Sequence, residues 1–482
     1  MLNMPELNKL NIIQAHQGLI SKQFSSTELT KSCLDEINKS DKNINAFITV
    51  TLEQALEKAK KVDEKISQGD SISQLAGIPY AAKDIFCVAN IKTTAGSKIL
   101  ENFIAPYEST TTARLKNQDA VLVGKTNLDE FAMGSSTENS GFFPTRNPHD
   151  LERVPGGSSG GSAAALAANH CLYSLGTDTG GSIRQPAALC GVVGVKPTYG
   201  RTSRYGVISM ASSLDTIGYF AKNIEDAAII LQAIAGHDEK ESTSANIALD
   251  HYSEEIKKDI KGLRIGIPKE YFELEGLDSG VKKIIKKAIK KIEEITGSSA
   301  QEISLPHADY ALACYYIIMP AEVSSNLARY DGIKYGLSEK SQDLLASYLK
   351  TRAQGFGAEV KRRIMLGTYT LSHGYYDAYY KKALAVRTLV KKDFDQAFKL
   401  VDVILAPVTP TTSFKLGEKI SDPLQMYAFD VFTIPASLAG LPALSLPCGQ
   451  IGHLPVGLQI IGQQFDEKTI LRAGYYFEQT IE

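Results

Sequence analysis

Three stretches of this 482-residue sequence carry residue types that can do chemistry. The first, VPGGSSGGSAAA (154–165), sets Ser158 and Ser159 between two glycine pairs, ahead of a run of small residues. Glycines permit unusual backbone angles and let other groups approach closely. A flexible Ser/Gly linker, an anion cradle at a helix N-terminus and a nucleophile elbow all fit, because Gly156 to Gly160 spells GxSxG. A linker is out of place between two apolar elements, and the elbow needs a strand directly upstream. The upstream residues here are the polar TRNPHDLERVP. The second stretch, GTDTGGSIRQPA (176–187), puts Gly180, Gly181 and Ser182 between an apolar strand and a helix start. Successive N–H groups there can face one concavity, as an oxyanion hole requires. A tight turn with Ser182 as helix N-cap is the plainer reading. The third, AGIPYAAKDIF (76–86), holds Lys83 in an otherwise apolar, buried-looking run. Such a lysine either snorkels, pairs with Asp84, or is a desolvated amine that works as a base.

A serine hydroxyl is a weak nucleophile and needs a base within hydrogen-bond reach. No histidine is well placed for that task. A neutral lysine can serve, acting through a second hydroxyl. Other motifs fail on inspection. Gly124, Lys125 and Thr126 spell GKT, but a Walker A loop needs a glycine where the chain has Asp119. No GxGxxG follows a strand, and no HExxH or CxxC…HxxxH spacing supports a metal site.

These stretches need elements to hold them. Residues 1–70 read as surface helices, with Ser25 and Glu28 as a capping box and Phe24 and Leu29 as its staple. A second helix over Leu52–Ile66 keeps Leu52, Ala55, Leu56, Ala59, Val62 and Ile66 on a 3.6 period. Residues 76–235 are richer in Gly, Ser and Ala. There AVLVGKTN (120–127) predicts a buried strand and SAAALAANH (162–170) a helix. CLYSLGTDTGG (171–181) predicts a strand running into a loop, and IRQPAALCGVVG (183–194) the next helix. LRIGIP (263–268) is a further strand, followed by the amphipathic VKKIIKKAIKKIEEIT (281–296). Residues 305–400 read as mainly helical. VDVILAPVTP, PALSLPC and LPVGLQIIG restore strands before a last helix near Asp466. This alternation predicts one α/β domain with a covered sheet and a helical insertion.

Composition bounds the rest. The chain carries 52 basic and 54 acidic residues, for a net charge of −2, which argues against nucleic-acid binding by bulk electrostatics. Its six cysteines are dispersed and predict buried free thiols in a reducing compartment. No apolar run approaches a membrane span, and the first arginine is Arg114, so a cytoplasmic protein is expected.

In their order and spacing, Lys83, GGSSGGS and GTDTGGSIRQPA resemble the amidase signature family. KDIFCVANIKTTAGSKILENF, GKTNLDEFAMGSSTENS and GYYDAYYKKALAVRTL extend the resemblance over essentially the whole chain. They are similar to the family's tRNA-dependent amidotransferase branch. The resemblance implies a single large α/β domain over residues 1–482, with a mixed, mostly buried central β-sheet covered by helices on both faces. It implies Ser182 as nucleophile, Ser158 as a bridging serine held by a cis Gly157–Ser158 peptide, and Lys83 as base. The N–H groups of Thr179, Gly180, Gly181 and Ser182 would form the oxyanion hole, with glutamine as substrate and ammonia as product. Arg363 and Asp430 resemble the positions that hold the two charged ends of glutamine, with Tyr315, beside Tyr316, as a further candidate. Plainer roles for these are an exposed Arg on a basic helix turn and a helix-capping Asp. The resemblance also implies a B subunit that activates mischarged Glu-tRNA(Gln) with ATP and magnesium, a small C subunit, and an internal ammonia channel. Asp-tRNA(Asn) is a further substrate of related complexes. No cofactor or metal is implied in this chain. The alternative within the family is a stand-alone amidase acting on small amides.

Overall fold

The computed structural model describes residues 6–419 and 422–481. One mixed sheet of eleven strands runs through it. In chain order these are β1 (Phe47–Val50), β2 (Pro79–Lys83), β3 (Val121–Thr126), β4 (Tyr173–Asp178), β5 (Val193–Lys196) and β6 (Thr216–Ala221). They continue with β7 (Ile265–Pro268), β8 (Gln301–Ile303), β9 (Val403–Pro407), β10 (Ala443–Ile451) and β11 (Leu454–Gly462). Their order in space is β1-β3-β2-β4-β6-β5-β10-β11-β9-β7-β8. β2 lies parallel between β3 and β4, whereas β4–β6–β5–β10–β11–β9 is antiparallel throughout.

Successive residues of the central strands enter two different apolar clusters. Tyr80 and Ala82 join one cluster and Ala81 the other; Tyr219 and Phe220 divide in the same way. A strand alternates its side chains between faces, so both faces of this sheet are covered. The second cluster brings in Leu34 and Ile37 of the helix Ser26–Ile44 and Ala55 and Ala59 of the helix Leu52–Gln68. It also holds Ala163, Ala164 and Ala165 of the helix Gly160–Ala167. Ser25 and Glu28 form the expected capping box. Leu52, placed on the apolar stripe by its spacing, is instead 51% exposed at the first turn of its helix.

Other differences are local. The helix expected over 183–194 stops at Cys190; Gly191 takes the left-handed conformation at φ +67° and the chain enters β5. A glycine at that point is a standard helix stop. Five cysteines are buried as free thiols, but Cys448 is partly exposed near the middle of β10, where the ladder shifts register between Pro447 and Gly449. Residues 305–400 carry the helices Ala311–Asn326, Leu344–Gly355, Ala358–Leu371 and Lys382–Leu400. Among the described residues no helix is long and apolar enough to cross a membrane.

Candidate active site

β2 ends at Lys83, whose side chain is fully buried. The neighbouring residue, Asp84, does not pair with it. Asp84 pairs with Lys125 of β3 at 2.8 Å, and both are fully buried. The expected alternatives of a snorkelling or Asp84-paired Lys83 are therefore corrected. The Lys83 amine reaches three hydroxyls instead: Ser158 at 2.7 Å, Ser159 at 2.9 Å and Thr177 at 2.9 Å. Burial pushes it down to about 7, against the opposing pull of Asp129, Asp215 and Asp178. An amine near that value is available both neutral and protonated around pH 7.

The hydroxyls around Lys83 are not equivalent. Ser159 donates its one proton to the Thr177 carbonyl at 3.1 Å, so it can only accept from Lys83. A neutral amine has two N–H groups and one lone pair. Ser159 takes one N–H, leaving one N–H and the lone pair for Thr177 and Ser158. The Gly157–Ser158 peptide is cis. Its loop is held on several sides: the Gly157 N–H donates to Gln185 Oε1 at 2.9 Å and the Asp129 N–H donates to the Ser158 carbonyl at 3.3 Å. Thr137 Oγ1 donates to the Gly156 carbonyl and accepts from the Gly160 N–H.

Ser182 lies on the loop from β4 to the helix Arg184–Cys190 and is 8% exposed. It is not the helix cap. Asp178 takes that task, accepting from the N–H groups of Ile183 at 3.2 Å and Arg184 at 3.4 Å. The loop is pinned by its carbonyls. Gly180 O accepts from Thr433 Oγ1 at 2.6 Å, Gly181 O from the Gln185 N–H at 2.8 Å, and Ser182 O from the Ser159 N–H at 3.3 Å. Among the described residues nothing accepts a hydrogen bond from the N–H groups of Thr179, Gly180, Gly181 or Ser182. Four adjacent unpaired donors on a fixed loop are what a developing oxyanion needs. Both glycines are required by contact: a Cβ on Gly180 would lie 2.9 Å from the Tyr315 ring, and one on Gly181 2.3 Å from Thr433 Oγ1. Among the described residues no hydrogen bond joins the Ser182 and Ser158 hydroxyls. Their loops meet through the Ser159 N–H to Ser182 O bond.

Asp430 and Tyr315 border this loop. Asp430 is 6% exposed and is not a helix cap. Its carboxylate accepts from Ser135 Oγ at 2.5 Å and Gln185 Nε2 at 3.3 Å. Burial pushes it up to about 7, while Ser135 and Arg363 pull the other way. Arg363 is not exposed either, at 2%. Its Nε donates to Glu359 Oε1 at 2.7 Å, and its guanidinium lies 5.5 Å from the Tyr316 ring and 5.3 Å from the Tyr427 ring. Those two rings stack at 3.9 Å. Among the described residues Arg363 Nη2 has no acceptor. Beneath the site, Arg184 joins Asp178, Thr433 O, Gln459 and Ser437, tying the Ser182 loop to the segment that carries Asp430.

Thr177, Gln185 and Thr433 were not singled out by their spacing, and Ser159 was marked only by its place beside Ser158 between the glycine pairs. Ser159 sits inside the GGSSGGS motif, and Thr177 and Gln185 within GTDTGGSIRQPA, so the motifs themselves held the signal. Nothing in VFTIP marks Thr433. Among the described residues no cluster of three or more His, Cys, Asp or Glu side chains is arranged to hold a metal ion.

The mixed eleven-stranded sheet thus carries a buried lysine bonded to two serines and, joined to them through the Ser159 N–H, a loop of unpaired amide donors. The chain belongs to the Amidase family, whose model matches residues 28–471. Over 478 residues it is 58% identical to the A subunit of glutamyl-tRNA(Gln) amidotransferase from Carboxydothermus hydrogenoformans, covering 99% of this chain and 98% of that protein. It is 56% identical over 478 residues to the protein of the same name from Desulforamulus reducens, with the same coverage. The crystal structure of the corresponding glutamyl-tRNA(Gln) amidotransferase chain from Thermotoga maritima superposes with a TM-score of 0.82 at 42% identity. That match covers 99% of this chain and 96% of the other.

Proposed function

We propose that this chain is the glutaminase component of a tRNA-dependent amidotransferase, releasing ammonia from glutamine through Ser182, Ser158 and Lys83. The observation that carries the chemistry is Lys83, buried, lowered to about 7 and bonded to Ser158 at 2.7 Å. With Ser159 and Thr177 each accepting an N–H, the lone pair of neutral Lys83 points at Ser158. Ser182 Oγ attacks the side-chain amide carbon of glutamine. Its proton passes to Ser158 as the Ser158 proton passes to Lys83. The Ser158–Ser182 contact closes with substrate present, since catalytic hydrogen bonds commonly tighten only in the complex. The N–H groups of Thr179, Gly180, Gly181 and Ser182 receive the oxyanion. Collapse returns the proton to the leaving nitrogen, ammonia departs, and water attacks the glutamyl-enzyme by the same relay.

The opposite charges of Arg363 and Asp430 suit the α-carboxylate and α-ammonium of glutamine, and Tyr315 walls the space beside Gly180. The near-full-length likeness to amidotransferase A subunits supports glutamine over a small simple amide. On this reading B and C subunits complete the enzyme in the cytoplasm. The B subunit holds Glu-tRNA(Gln) and uses ATP and magnesium, this chain holds neither, and ammonia passes between them. Incubating the assembled complex with glutamine and mass-mapping the modified serine tests the reading. A glutamyl adduct on Ser182 is expected. An adduct on Ser158 instead would overturn the assignment. Full activity of the isolated chain on simple amides, with none on glutamine, would favour a stand-alone amidase.

A further inference from the structure

Glu130 is 3% exposed and, among the described residues, makes no hydrogen bond to Lys83, Ser158 or Ser182, yet both its carboxylate oxygens are engaged. Oε1 accepts from the Ser97 hydroxyl, and Oε2 accepts from the Gly357 N–H at 2.8 Å. Gly357 is the N-cap of the helix Ala358–Leu371, which carries Arg363. In a capping box the N3 side chain receives the N-cap N–H. Here N3 is Val360, which cannot, and Glu359 at N2 is committed to Arg363, Arg362 and Tyr427. Glu130 supplies the missing acceptor from 227 residues away and places a carboxylate at the helix N-terminus.

The neighbours of Glu130 strengthen the grip. The Phe131 ring packs against Tyr330 at 4.9 Å and against Phe356 at 5.8 Å, and Phe356 directly precedes Gly357. Phe131 and Ala132 both lie in the left-handed region, at φ +50° and +62°. L residues hold that conformation only where flanking contacts fix it. On the other side, the Asp129 N–H donates to the Ser158 carbonyl, and its carboxylate accepts from the N–H groups of Thr137 at 2.9 Å and Asn139 at 3.0 Å. Residues 129–131 thus bridge the loop of Ser158 and the start of the Arg363 helix. The contact is tight: a Cβ on Gly357 would fall 2.4 Å from Glu130 Oε2.

We propose that Glu130 is a positioning residue that fixes the N-terminus of the helix Ala358–Leu371 and so aims Arg363 at the carboxylate end of the substrate. This rests on the reading of Arg363 as the carboxylate-binding group. The test compares glutamine with 4-aminobutanamide, which keeps the amide and the ammonium but has no carboxylate, using the assembled complex. Glu130→Ala should raise KM for glutamine about tenfold, the loss expected for one hydrogen bond to a charged group, with kcat little changed. Its kcat/KM for 4-aminobutanamide should stay at the wild-type value. Glu130→Gln, whose carbonyl still accepts from Gly357, should recover most of the loss. Gly357→Ala, pressing on the same contact from the other side, should reproduce the KM increase, and it carries the test if Glu130→Ala does not fold. An equal loss on both amides, or a wild-type KM in both Glu130→Ala and Gly357→Ala, overturns the proposal. Arg363→Ala separates the two levels. If it raises KM for glutamine while the other two variants do not, the positioning role alone fails; if it leaves that KM unchanged, the Arg363 reading fails and takes the proposal with it.

Discussion

Replacing Thr177 by valine tests how Lys83 is made into a directed base. Among the described residues Thr177 Oγ1 has Lys83 as its one side-chain partner, at 2.9 Å, and its removal leaves Lys83 with Ser158 and Ser159. Two effects follow, and they oppose each other. A hydrogen bond to an ion is about twice as strong as one between neutral groups, so losing it penalises the ammonium form more than the amine. With charged hydrogen bonds near 1.5–3 kcal/mol, the differential is about 1 kcal/mol, or roughly 0.7 of a pH unit. The amine starts from about 7, held there by burial, and the loss moves it further down. The acid limb of the kcat profile, where Lys83 becomes protonated, should therefore move to lower pH. At the same time the neutral amine loses the partner that turned its lone pair toward Ser158, so the plateau should fall, by roughly tenfold for about 1.4 kcal/mol of lost orientation. The assay is ammonia release from glutamine by the assembled complex across a pH series. A lower plateau with the limb displaced to acid is expected. A limb that moves to higher pH, or stays fixed while the plateau falls, refutes the reasoning that Thr177 accepts from the titrating amine.

Further outcomes follow from the same geometry. Ser182→Ala should abolish the glutamyl adduct and nearly all ammonia release while leaving the fold intact, as checked by mass mapping and circular dichroism. Asp430→Asn should raise KM for glutamine by about tenfold or more, since an amide cannot balance an ammonium group. In the wild type, KM should rise as pH falls through about 7, where the buried Asp430 carboxyl takes up a proton. Lys125→Met strands the buried Asp84 carboxylate and should cost about 3–5 kcal/mol of stability, read as a lower midpoint in chemical denaturation.

The proposed catalytic groups were legible because chemistry and glycine coincide in the sequence. Lys83 stood out as a charge in an apolar run, and the two serine motifs as small residues between apolar elements. What surrounds them was less visible. Lys125 belongs to a GKT that fails as a phosphate loop, and only the pairing of β2 with β3 shows it neutralising Asp84. Thr177 looks like any strand residue until the parallel pairing of β2 with β4 brings it to Lys83. β5 was hidden because its apolar run continues that of the preceding helix, and Gly191 was the one mark of the break. β1 and β8 have four and three residues, too short for a period to declare itself. Arg363 and Asp430 carry no local pattern at all. Their burial comes from stacked tyrosines and from Ser135 and Gln185, contacts made across long stretches of chain.

The sheet order separates two duties along the molecule. Lys83, Ser158 and Thr177 belong to β2, β4 and the loop that leads into the helix between them, whereas Arg363, Tyr315 and Asp430 come from the stretch between β8 and β10. On the proposed roles, cutting and choosing are therefore housed in different parts of the chain, joined beneath the site by Arg184. A lineage built this way can exchange what it accepts by redrawing the later stretch, and leave untouched the part proposed to break the bond.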